Sequence, residues 1–244
     1  MRILLAGIAA LAAASVALAD ESKIRRVVEA KLGGARVEGI DPSPVPGLFE
    51  VRVQSREGPQ IVYTDAEASH IFVGTLYDAR NDRNLTEERM RKLSAIDFSS
   101  LPLEMAVKVT RGNGRRQLAI FSDPYCPACR QFEQTLAQID DVTLYYFMYP
   151  VIRPELAEHS KAVWCAPDRA KAWLALAARP KAQPPAGAAK CDTPVEQVLG
   201  LGRSLGVNST PTLFFANGER VRGGLRGPDL AAMLDEAGRA AKRK

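Results

Sequence analysis

One short run limits the folds open to this chain more than any other. The apolar stretch Leu118-Ala119-Ile120-Phe121 is followed by Ser122-Asp123-Pro124-Tyr125 and then by Cys126-Pro127-Ala128-Cys129. Four apolar residues bounded by a turn signal read as a buried strand. Asp123-Pro124 fits the turn. Pro127 fits the first position of a helix, where its missing N–H costs nothing, and Phe132, Leu136 and Ile139 then fall on one helical face. A cysteine at a helix start meets outward-pointing N–H groups and the positive end of the dipole, and both favour thiolate over thiol. Cys129 lies one turn further in, close enough to attack a mixed disulfide at Cys126. The spacing assigns Cys126 as nucleophile and Cys129 as resolving thiol. The alternative is a tight structural disulfide; the strand-to-helix setting favours reactivity.

The sequence around this run predicts an α/β domain. Val142–Met148 reads as a second strand, and an alanine-rich helical stretch runs from Pro154 to about Leu205, broken at Pro180 and Gln183–Gly187. Thr212–Phe215 and Arg220–Arg222 form a hairpin across Asn217-Gly218, a strong turn signal. A last helix starts near Pro228 with Leu230, Met233, Leu234 and Ala237 facing in. Thr210-Pro211 precedes the hairpin. It reads either as a cis X-Pro clamp offering Thr210 backbone groups to an extended substrate, or as an ordinary proline opening a strand. Cys165 and Cys191 enclose the proline-broken part of the insert. Structural pairing is the preferred reading; a second redox pair has no motif around it. Asp123 and His159 are placed to tune the thiolate, although His159 reads better as a solvated surface residue and Tyr125 as part of the rim.

The N-terminal part has a different character. Residues 1–19 carry Arg2, an apolar alanine-rich core and Ala17-Leu18-Ala19, the pattern of a cleaved export signal too short for a membrane span. Residues 20–80 read as a helix over Ser22–Leu32, with Ile24, Val27 and Val28 on one face, stopped by Gly33-Gly34. Strand-like runs follow at Leu48–Val53, Gln60–Thr64 and His70–Tyr77. So small a unit has a thin core and needs a partner surface, and strand edges supply one. Residues 81–98 form a connector helix with Asn84 as N-cap, Glu87 three residues on, and a narrow stripe of Leu85, Met90, Leu93 and Ile96. Residues 99–244 hold the Cys-x-x-Cys domain. Export favours disulfide chemistry. With four cysteines and two histidines, the spacing argues against a zinc site, and no metal is expected. A formal charge of +5, scattered apart from Lys242-Arg243-Lys244, gives no case for nucleic acid.

The run Phe121–Cys129 resembles the active-site segment of the DsbC/DsbG disulfide isomerases of the bacterial periplasm, and DsbC more closely. Pro42-Ser43-Pro44-Val45-Pro46-Gly47-Leu48-Phe49-Glu50-Val51 is similar to that family's N-terminal domain, Asn84–Arg89 to its linker helix, and Thr210-Pro211-Thr212 to its cis-proline loop. The resemblance implies an α/β (α+β) chain. A thioredoxin-like catalytic domain with a helical insert would be joined by the linker helix to a small helix-and-sheet, cystatin-like dimerisation domain. It implies a V-shaped homodimer acting as a disulfide isomerase on misfolded exported proteins, without a cofactor, kept reduced by a DsbD-like membrane reductant. Cys165–Cys191 would match the family's structural disulfide. A DsbG-like reductase of sulfenylated cysteines and a holdase dimer are the alternatives. Two positions depart from the pattern. Pro127-Ala128 stands where DsbC has Gly-Tyr and DsbG Pro-Tyr. Ile120 stands where thioredoxin carries a buried acid.

Overall fold

The computed structural model describes residues 20–56, 58–179 and 191–241. The export signal expected over 1–19, the break at Pro180 and Gln183–Gly187, and the basic tail Lys242–Lys244 lie outside these. The chain divides into two compact units between Met90 and Arg91.

In the first unit, α1 (Glu21–Lys31) begins where the Asp20 carboxylate accepts the Lys23 N–H at 3.0 Å. Ile24 and Val28, one turn apart, are fully buried. The helix ends before Gly33, whose φ of +62° favours glycine. Four strands, β1 (Arg36–Pro42), β2 (Leu48–Ser55), β3 (Gly58–Asp65) and β4 (Ile71–Phe72), form an antiparallel sheet in that order. Val37, Val51, Val53 and Val62 pack with Ile24 and Val28. The sequence pattern did not mark β1. Its register with β2 shifts between Val37 and Gly39, and such a bulge breaks the alternation that identifies a strand. The single strand expected over His70–Tyr77 is a correction. It divides into β4 and β5 (Tyr77–Asp78), which pairs with β6 (Arg83–Asn84). Its apolar residues are not buried here: Phe72, Val73 and Tyr77 stand exposed at or beyond the sheet edge. The connector helix is shorter than expected, α2 (Leu85–Leu93), and buries no residue. Asn84 Oδ1 accepts the Glu87 N–H at 2.9 Å, as an N-cap does.

The second unit carries a five-stranded sheet. Its strands are β7 (Val107–Arg111), β8 (Arg116–Ser122), β9 (Val142–Met148), β10 (Thr212–Phe215) and β11 (Arg220–Arg222), in the order β11-β10-β8-β9-β7. Only β8 and β9 run parallel, from Arg116 opposite Val142 to Ser122 opposite Met148. The helices are α3 (Pro127–Leu136), α4 (Ala157–Trp164), α5 (Arg169–Ala178), α6 (Val195–Ser204) and α7 (Gly227–Ala241). Both sheet faces are covered, which is why β8 reads as a continuous apolar run. Leu118 and Ile120 pack with Phe132, Leu136, Tyr146, Trp173 and Leu234 on one side. Ala119 and Phe121 pack with Phe147, Tyr149, Val198 and Phe214 on the other. Edge strand β7 buries only Val107 and Val109 of its five residues, too short an alternation to stand out in sequence. The helical stretch breaks once more than expected, after Trp164, where the Asp168 side chain caps α5 by accepting the Lys171 N–H at 2.9 Å. The hairpin turns at Gly218, with φ +90°, where a Cβ would lie 1.9 Å from the Ile96 carbonyl oxygen. This α/β architecture with a helical insert is the class the sequence predicted.

Candidate active site

Strand β8 ends at Ser122 and α3 starts at Pro127, so the four residues between them turn the chain at the carboxyl edge of the parallel pair. Cys126 is the N-cap of α3 in extended geometry. Its N–H donates to the Asp123 carbonyl at 3.1 Å, and its own carbonyl accepts the Arg130 N–H at 3.1 Å. Cys126 and Cys129 are free thiols, 5% and 3% exposed. The Cys126 thiol lies 3.3 Å from the Thr210 carbonyl oxygen, and the Thr210–Pro211 peptide is cis. The Thr210 hydroxyl is buried and makes no hydrogen bond.

These surroundings act unequally on the two thiols. Burial pushes the Cys126 thiol up, but the Thr210 side chain and the Cys129 and Ala128 N–H groups outweigh it and hold its pKa below the ordinary value. Burial dominates at Cys129 and pushes it up to about 12, only partly offset by the Ser122 side chain and the Asp123 backbone. The site therefore favours ionisation of Cys126 over that of Cys129.

Asp123 supports the backbone. Fully buried, its Oδ1 accepts the Tyr125 N–H at 2.8 Å, and its Oδ2 accepts those of Val151 and Ile152 at 2.8 and 2.7 Å. His159 is not the solvated residue its sequence setting suggested. It is half-buried on α4, and its Nδ1 is hydrogen-bonded to the Tyr125 hydroxyl, because the insert folds back over the turn. Ile120 is buried. A partly buried acid absent from the sequence reading is Glu133 on α3, which accepts the Tyr146 hydroxyl at 3.0 Å. Burial pushes its pKa up to about 7. Its position one turn beyond Cys129, among Phe132 and Leu136, was the available signal.

The structure thus brings Cys126, Cys129, Thr210 and Pro211 together. Cys165 and Cys191 pair only with each other, their Cα atoms 5.8 Å apart, tying the end of α4 to the segment before α6. Among the described residues, no group of three or more His, Cys, Asp or Glu side chains could hold a metal ion.

Residues 103–238 match the thioredoxin-like domain family, and residues 15–87 match the disulfide bond isomerase protein N-terminal domain. Over 203 residues the chain is 42% identical to the probable thiol:disulfide interchange protein DsbC of Bordetella parapertussis, covering 82% of this chain and 70% of that protein. The chain belongs to the DsbC family. It is 27% identical over 226 residues to thiol:disulfide interchange protein DsbC of Escherichia coli K12, covering 90% of this chain and 89% of the other. The structure of the disulfide interchange protein from Neisseria gonorrhoeae superposes with a TM-score of 0.53 at 39% identity, covering 57% of this chain and 99% of that one. As a DsbC-family member with this thioredoxin-like unit, the chain is a periplasmic thiol–disulfide oxidoreductase with disulfide interchange activity.

Proposed function

We propose that Cys126 and Cys129 are the exchanging pair of a disulfide isomerase acting on misfolded exported proteins. The observation that carries this is geometric: the Cys126 thiol, at the start of α3, lies 3.3 Å from the Thr210 carbonyl oxygen of a cis Thr210–Pro211 peptide, and the same surroundings lower the Cys126 pKa while burial raises that of Cys129 to about 12. The Cys126 thiolate attacks one sulphur of a wrong disulfide. A Cys126–substrate bond forms, the substrate S–S bond breaks, and the displaced sulphur leaves as a thiolate. When a substrate thiolate then attacks the linked substrate sulphur, Cys126 is released as thiolate and the substrate has been rearranged without net electron transfer. Escape requires Cys129 to lose its proton and attack the Cys126 sulphur. That forms Cys126–Cys129, frees the substrate as a thiol, and moves two electrons to it. A thiol so strongly protonated makes escape slow, which lengthens the life of the mixed disulfide and favours shuffling over plain reduction. A membrane reductant of DsbD type would return the two electrons. Thr210 and Pro211 offer the substrate a backbone edge beside the sulphur.

The chain works in this account as a homodimer after removal of residues 1–19. Residues 20–80 form the dimerisation domain, 81–98 the linker and 99–244 the catalytic domain. The support for pairing through the first unit is its open edge. Among the described residues strand β4 has no neighbour beyond it, and Phe72, Val73 and Tyr77 are 55%, 72% and 51% exposed. Recovery of activity from scrambled ribonuclease tests the reading. Cys126→Ala abolishes it and Cys129→Ala retains part. Full activity of Cys126→Ala contradicts it.

A further inference from the structure

Among the described residues of the second unit, the large apolar side chains that stand exposed are Val151 and Ile152, at 40% and 51%. Exposed apolar residues scattered over a surface are ordinary. These two are adjacent, and their backbone is locked. Both N–H groups donate to one oxygen of the fully buried Asp123, whose other oxygen holds the N–H of Tyr125, the residue before the nucleophile. Val151 N–H also reaches the Tyr149 carbonyl at 2.9 Å, and Tyr149 N–H the Ser122 carbonyl at 2.9 Å. The loop after β9 is therefore tied to the turn after β8 at the carboxyl ends of the two parallel strands, where open α/β sheets bind ligands. A buried carboxylate is costly unless its bonds are made. Here two of the three bonds fix the apolar pair, and the third fixes the residue before Cys126.

We infer that Val151 and Ile152 determine specificity. They take the apolar side chain that flanks the reacting cysteine of an extended polypeptide, so that exchange is directed to cysteines in apolar sequence, which a correctly folded protein buries. The proposal rests on Cys126 being the nucleophile.

The test uses the full chain with Cys129→Ala, which traps the mixed disulfide. The probes are three disulfide-linked peptide dimers, identical except for Leu, Ser or Glu on either side of the cysteine. Rates of Cys126–peptide formation are divided by the rate on oxidised glutathione, which removes any change in the thiol itself. We expect the Leu peptide to react about tenfold faster than the Ser peptide, as burial of one such side chain allows. Val151→Ser with Ile152→Ser should bring that ratio close to one, and Ile152→Lys should move the preference to a Glu-flanked peptide. No preference in the parent protein overturns the proposal, as does a preference that survives the double substitution. Peptide capture that persists in Cys126→Ala instead removes the assignment of the nucleophile, whatever the flanking preference.

Discussion

The Cys126 sulphur and the Thr210 carbonyl oxygen lie 3.3 Å apart, although 84 positions separate the two residues in sequence. The sheet brings them together, since β8 and β10 are antiparallel neighbours with Phe121 opposite Thr212. The proposed nucleophile follows β8 and the proposed substrate edge precedes β10, so the pairing of these two strands sets their separation. The remaining groups around the site adjust proton affinity and hold loops.

Asp123 is the first of these. Asp123→Ala leaves the N–H groups of Tyr125 and Ile152 without their acceptor and leaves Val151 only the Tyr149 carbonyl. Each unpaired buried donor costs roughly 1–3 kcal/mol, reduced where water enters, so a total loss of about 2–4 kcal/mol is expected from urea unfolding. Asp123→Asn should recover only part, because its amide nitrogen cannot accept. An unchanged unfolding midpoint for Asp123→Ala would show that the clamp contributes nothing.

Glu133 should make stability depend on pH. Its folded pKa of about 7 lies above the ordinary 4.5. Between these values the native state holds a proton that the unfolded chain has released. Its contribution is complete below about pH 4.5 and is lost as pH rises through 7, at no more than about 1.4 kcal/mol per pH unit. Glu133→Gln keeps an acceptor for Tyr146 and removes the titration. The difference in unfolding free energy between about pH 5 and pH 8 should shrink in that variant; an equal difference would assign the slope to other groups.

The Cys165–Cys191 disulfide bridges a sequence separation of 26 residues. Its removal in Cys165→Ala with Cys191→Ala should lower stability by about 2–4 kcal/mol in thermal or urea unfolding, through release of the unfolded chain. Exchange at Cys126 should persist at temperatures where the variant stays folded. Loss of exchange in a folded double variant would give this pair a redox role.

The exposed edge at Val73 predicts a change of assembly. Val73→Lys places a charge on the apolar margin of β4, a device that blocks edge pairing. Sedimentation should find the parent protein dimeric and Val73→Lys monomeric at micromolar concentration. A variant that remains dimeric would move the interface elsewhere.

Much of this was legible in sequence wherever local and tertiary signals agree. The apolar run into Cys126-Pro127, the capping by Asn84 and the turn at Asn217-Gly218 are local events, and each fixes its element. β1 was hidden because its bulge at Val37–Gly39 disrupts the period. β7 was hidden because two inward valines make too short a pattern. His70–Tyr77 misled in the opposite way, since its apolar character serves an open edge and not a buried strand. In the site, both cysteines were readable from spacing alone. The roles of Asp123, His159 and Glu133 were not. Each depends on which backbone or ring a fold brings to a side chain, as when Asp123 meets Val151 and His159 meets Tyr125.

The inequality of the two thiols can be measured directly. The reduced protein is treated with iodoacetamide over a range of pH, and Cys126 and Cys129 are followed separately by peptide mapping. The account predicts that Cys126 is labelled with a midpoint below that of a free cysteine, about 8.5, while Cys129 stays unlabelled through neutral and mildly alkaline pH. Labelling of Cys129 as fast as Cys126, or a Cys126 midpoint above that of a free cysteine, would contradict it.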